Sequence, residues 1–184
     1  MTPMNPANNT YRLFVPKQAV GANLVYFDLF NKSDTGVDLL IASVVPIVSG
    51  AVAVTSTLGV DLHLTRTSAV GTGGTAATRE GTDTTACTIS NMVGGGNNLN
   101  GGVTARLTPT GGATAGAVLG WCCVATEETL DGPYFAAMND LVRRSLVDIG
   151  PIIVPPSSGI RVVQGAVASA GNIGFDVIFQ SRHR

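Results

Sequence analysis

The side chains able to do chemistry are few in this sequence, and they are scattered. Only two histidines occur, His63 and His183, the second within the run SRHR. A protein metal site draws several His, Cys, Asp or Glu together, and no local run supplies such a set. The three cysteines, Cys87, Cys122 and Cys123, match neither a disulfide framework nor a zinc knuckle in number and spacing. They are expected to be free, buried thiols that act as small apolar residues. No nucleophile elbow surrounds any serine or cysteine. Glu127 and Glu128 are adjacent, so on a strand they would point to opposite faces, which does not suit paired acid–base work; a solvated loop accounts for them. The glycine cluster GTGGT at 71–75 follows a strand pattern but opens no helix, and GK[ST] occurs nowhere, so a phosphate cradle lacks its scaffold. No catalytic residue, metal or cofactor is therefore expected, and the chain reads as a non-enzyme.

The elements around these residues are short and strand-like. Residues 60–67 (VDLHLTRT) alternate, with Val60, Leu62 and Leu64 on one face and Asp61, His63 and Thr65 on the other, the period of a half-buried strand. Residues 173–180 (IGFDVIFQ) do the same, with Phe175, Val177 and Phe179 opposed to Asp176, Ile178 and Gln180. Residues 23–31 (NLVYFDLFN) are apolar on both faces, as in a strand covered on two sides, and the KSDTG turn at 32–36 closes them. Residues 39–54 (LLIASVVPIVSGAVAV) are too short for a spanning helix, which needs about 20 apolar residues, and are broken by Pro46 and Gly50. They read as two buried strands or one long bent one. Further strands are expected at 11–15, where Pro16 ends the run, and at 118–126, 149–154 and 160–168. Residue Trp121 on the 118–126 strand is expected in the core or at a subunit contact.

Residues 67–126 carry four charges and many Gly, Thr and Ala. Their β-branched threonines and short apolar pieces (86–89, 103–107) favour strands joined by glycine turns over a flexible linker. Residues 130–146 hold the one helical pattern, with Asp131 as a cap, Pro133 in the first turn, and Tyr134, Met138, Leu141 and Val142 at helical spacing; an irregular loop is the alternative. The fold class is all-β, a sandwich or jelly roll with glycine-rich loops and at most one short helix. Two parts are expected: an extended arm over residues 1–10, and one β domain over 11–184.

Composition narrows the function classes. Charged residues make up 12% of the chain, about half the ordinary share of roughly 25%, while hydrophobic residues make up 45%. With a net charge of -1 and basic residues spread along the chain, there is no electrostatic footprint for nucleic acid or an anionic membrane. Residues 1–10 (MTPMNPANNT) have neither the basic start nor the apolar core of a secretory leader, so the sequons at Asn8 and Asn31 carry little weight. A weakly charged, apolar β domain is suited to burying surface against copies of itself and a shell. The residues expected to meet partners are Pro3, Asn5 and Pro6 in the arm, Tyr11 at its base, Trp121, and the pair Arg143 and Arg144.

From residue 60 onward the chain resembles small β-rich virion structural proteins of tailed bacteriophages. The residues that carry the resemblance are LHLTRTSAVGTGGTAAT at 62–78, GPIIVPPSSGIRVVQG at 150–165 and NIGFDVIF at 172–179. Many of those proteins have a charged residue or a second glycine in the proline turn, where this chain has Ser157 and Ser158. The resemblance implies a capsid decoration (cement) or fibre-associated subunit, made in the host cytoplasm and carried on the capsid surface. Its partners would be copies of itself, as a trimer, and the major capsid protein. A tail or fibre module that binds a host glycan through its Gly/Thr/Asn-rich loops is the alternative; the major shell protein and an enzyme rank below both.

Overall fold

A computed structural model describes residues 9–49, 58–80, 85–93, 98–111, 115–126, 133–135, 140–142 and 150–184. Among them there is no helix, and thirteen strands form two sheets. In chain order these are β1 (Thr10–Ala19), β2 (Val25–Asn31), β3 (Val37–Ser49), β4 (Leu58–Thr67), β5 (Thr75–Ala76), β6 (Thr78–Arg79), β7 (Thr88–Asn91), β8 (Val103–Leu107), β9 (Ala115–Thr126), β10 (Pro133–Phe135), β11 (Ile152–Val154), β12 (Ser158–Gln164) and β13 (Asn172–His183). One sheet runs β10-β3-β13-β1-β7-β6, with β11 also on β3; the other runs β5-β8-β2-β12-β4-β9. The first four strands alternate between the sheets. Each long strand then meets a later partner antiparallel: β1 with β13, β2 with β12, β3 with β10 and β11, β4 with β9. This is a folded ribbon wrapped on itself, a β-sandwich of the jelly-roll kind.

The alternating segments line the core as the period requires. Val60, Leu62 and Leu64 on β4 and Phe175, Val177 and Phe179 on β13 are all fully buried. Across the sandwich Phe175 packs against Tyr26 and Phe27 at centroid distances of 5.2 and 5.6 Å. Two consecutive residues of β2 reach one ring because the β2–β12 ladder shifts register between Val162 and Val163, which leaves Tyr26 unpaired in a bulge. The Tyr26 hydroxyl then donates to Gln164 Oε1 at 2.7 Å, which removes the cost of burying it.

Both prolines within the long strands are accommodated by irregularities of the ladder. β1 does not end at Pro16 but continues to Ala19, and the extra residue is absorbed by a bulge between Val15 and Gln18 opposite Gly174. A Cβ on Gly174 would lie 2.6 Å from the Val15 carbonyl oxygen, so the bulge needs glycine there. Residues 37–49 form one bent strand, with Ala42 bulged out of the β13 ladder. Val44 donates to Asp140 and accepts from Leu141, both on the side away from β13. Pro46 lies two residues on and faces the same way, so its missing N–H costs the β3–β13 ladder nothing.

That outer edge of β3 is satisfied piecewise. β10 covers residues 47–49, β11 covers 39–41, and the 140–142 link sits between them. Asp140, 8% exposed, stands in for a strand: Oδ1 accepts from the Val44 and Val142 amides at 2.9 Å, and Oδ2 from the Ser43 hydroxyl at 2.6 Å. The helix expected over 130–146 is therefore corrected where it can be seen. Residues 133–135 are a strand and 140–142 are not helical, because an open strand edge outbids a weak helical pattern for their hydrogen bonds; the remainder of that stretch lies outside the described residues.

The Gly/Thr-rich stretch between β4 and β9, where it is described, leaves β4 altogether. It crosses to the far flank, where β8 adds to β2 and β7 adds to β1, with β5 and β6 outside them. The crossing is tied by the Ala77 amide to the Ala105 carbonyl and the Thr78 amide to the Cys87 carbonyl, both at 2.9 Å. Gly73 and Gly74 have φ of 70° and 61°, and a Cβ on Gly74 would run into the Leu107 carbonyl oxygen. Beneath this loop Asp28, 1% exposed, accepts from the Gly71 amide at 2.5 Å. It lies opposite Arg106 on β8 and Arg161 on β12. Burial pushes its carboxyl up to about 6, against the pull of that amide and the two arginines.

Candidate interaction surface

On the opposite flank, β9 is the outermost strand of its sheet among the described residues. Its inward residues Cys122 and Val124 pair with Leu62 and Val60 of β4, while Trp121 and Cys123 pair on the outer face with His63 and Asp61. Trp121 is 63% exposed and Val118 57% exposed; Ala117, Cys123 and Ala125 are exposed beside them. No residue of Ala115–Thr126 carries a charge. The core alternative for Trp121 is thereby excluded.

The indole is held in place. Its Nε1–H donates to Asp61 Oδ1, while the second carboxylate oxygen is 3.0 Å from His63 Nε2. Gly165 makes room for this carboxylate, since a Cβ there would fall 2.6 Å from Asp61 Oδ2. The cost of ordering the Trp121 ring is met before any partner arrives. Asp61 is thus committed to two neighbours on its own surface and is not poised as a free base. Cys123 is a free, exposed cysteine on the same face.

The other residues singled out in the sequence are placed as follows. Tyr11 is not at a contact surface: it is fully buried and stacked on Phe179 at 5.5 Å, because the inward period of β1 (Tyr11, Leu13, Val15) includes it. Pro3, Asn5, Pro6, Arg143 and Arg144 lie outside the described residues. Cys87 and Cys122 are buried, their thiols pushed up to about 12 by desolvation, whereas Cys123 is exposed, contrary to the expectation for all three. Asn31 is fully buried and donates to the Val37 and Val154 carbonyls, so its sequon is closed to modification. Among the described residues no three His, Cys, Asp or Glu could share a metal ion, and no helix is long and apolar enough to cross a membrane. Sequence reasoning missed Asp61 as the holder of Trp121; the only signal was its place beside His63 on the polar face of β4.

Compared with family models, curated proteins and solved structures, the chain gives no significant match to any of them.

Proposed function

We propose that this chain is a structural subunit of a tailed-phage virion, a decoration or cement protein whose outer β4–β9 face seats against neighbouring protein. The observation that carries the reading is β9 itself. An edge strand of twelve residues without one charge, bearing an exposed and immobilised Trp121, is the kind of edge that proteins otherwise blunt with lysine, proline or a cover. Tryptophan is the residue type most enriched among energetically dominant contacts. A charge-poor surface supports the same reading, as does the phage resemblance of residues 62–78, 150–165 and 172–179. In this account the subunits form a trimer on the major capsid protein, and no reaction is involved. The test is to strip particles of the protein, add back wild type or Trp121→Ser, and challenge them with heat and osmotic shock. Wild type restores resistance and the variant does not; stripped particles as robust as intact ones end the proposal.

A second reading, a tail- or fibre-associated module for a host glycan, draws on one feature. The fixed indole presents a flat aromatic face beside the hydrogen-bonding groups of Asp61 and His63. Glycan-array binding that is lost in Trp121→Ala would favour it over the first.

A further inference from the structure

A cleft of about 300 Å³ opens on the other flank, within the stretch between β4 and β9. Its walls include Lys32, Arg79 and Arg106, with Gly71, Thr72 and Thr104 between them, and among the described residues no Asp or Glu lines it. Of the nearby carboxylates, Asp28 is buried behind the wall and accepts from the Gly71 amide, Asp34 lies over Gly102, and Glu80 accepts from the Asn91 amide. Arg79 is fixed by the carbonyls of Leu99, Asn100 and Val103, and Arg106 by the Gly73 carbonyl at 2.9 Å. Carbonyls hold a guanidinium in position without neutralising it, although Arg106 also lies opposite the buried Asp28 carboxyl; each of these groups keeps unused N–H donors. Thr104 Oγ1 is buried on the cleft wall without a hydrogen-bond partner, an unmet hydrogen bond that a ligand could supply.

From this cleft we infer that the chain binds a small ligand through a phosphate, sulfate or carboxylate group, held by Arg106, Arg79 and Thr104 with Lys32 at the rim. The volume is at the lower end of small-molecule sites, roughly 300–1,000 Å³, so it fits a ligand of about one sugar ring and not a nucleotide. Fixed guanidinium groups suit oxyanions because their N–H forks match the acceptor geometry and no ordering cost remains. This inference does not depend on the virion reading and concerns the opposite flank.

The test is a titration of the full chain with inorganic phosphate, glucose 6-phosphate and glucose, followed by amide NMR and repeated on Arg106→Gln, Thr104→Val and, as a charge control, Lys17→Gln. Both anions should give saturating shifts at Gly71, Thr72, Gly101 and Thr104, and glucose none. Arg106→Gln should weaken binding at least about tenfold and Thr104→Val by a smaller factor, each with an otherwise unchanged spectrum, while Lys17→Gln binds as wild type. Shifts that never saturate, equal binding of glucose, or affinity unchanged in both cleft variants would overturn the assignment.

Discussion

The two flanks of the sandwich face the same physical problem and meet it differently. On the flank of β1 and β2, the excursion between β4 and β9 adds strands to both sheets, so those edges are paired within the chain. On the other, β3 is covered in three pieces by β10, residues 140–142 and β11, while β9 presents an apolar outer face with Trp121 and Val118 exposed. The chain thus uses its most glycine-rich residues to close one side and leaves its most apolar edge strand turned outward on the other. In the proposed reading this contrast puts the interaction surface at β9 and the internal scaffolding opposite.

Substitutions can break this comparison, and the largest effects should fall where the chain covers its own strand edges. Gly74→Ala puts a side chain against the Leu107 carbonyl at a φ of 61°, and should cost about 3 kcal/mol or more in denaturant unfolding. A loss below about 1 kcal/mol would mean the cap contributes little. Asp140→Ala removes the acceptor of two amides and a hydroxyl, and should cost about 2–3 kcal/mol, with faster amide exchange at Val44 and Val142.

The pH dependence comes next. The Asp28 carboxyl has a folded-state value of about 6 against an ordinary 3.8. Its raised value means that the folded state holds the proton more tightly than the unfolded state. Its contribution is therefore fully present below about pH 4 and is lost as pH rises through about 6, by on the order of 3 kcal/mol. Asp28→Asn keeps an acceptor for the Gly71 amide and should flatten stability across that window; an unchanged slope would show that Asp28 is not the group responsible. The smallest effect is expected on the open flank. Trp121→Ser should leave monomer stability within about 0.5 kcal/mol while abolishing particle binding, and a large loss of stability would return Trp121 to the role of a core residue.

Much of the scaffold was legible before the structure. The alternation of 60–65 and 173–180 located the inward faces of β4 and β13, and two-sided apolarity located β2, whose outer face lies under the Gly71 loop. What could not be read depends on pairing between distant residues. Pro16 looks like a strand end because the bulge opposite Gly174 has no local signature, and 133–135 look helical because the edge of β3 that captures them lies over eighty residues away. The site was half legible. His63 and Asp61 were placed on the polar face of β4, but only the β4–β9 register sets Trp121 beside them, and only burial distinguishes Cys123 from Cys122.

The exposed Cys123 provides the most direct measurement of the central claim, because it lies on the outer face of β9 while Cys87 and Cys122 are buried. Alkylation is followed by mass spectrometry on the free protein and on intact particles. In free protein Cys123 should react quickly and the two buried thiols slowly; in particles Cys123 should become protected while a cysteine introduced at Lys17, on the other sheet, stays reactive. Equal reactivity of Cys123 in both states would contradict the account and move the contact surface away from β9.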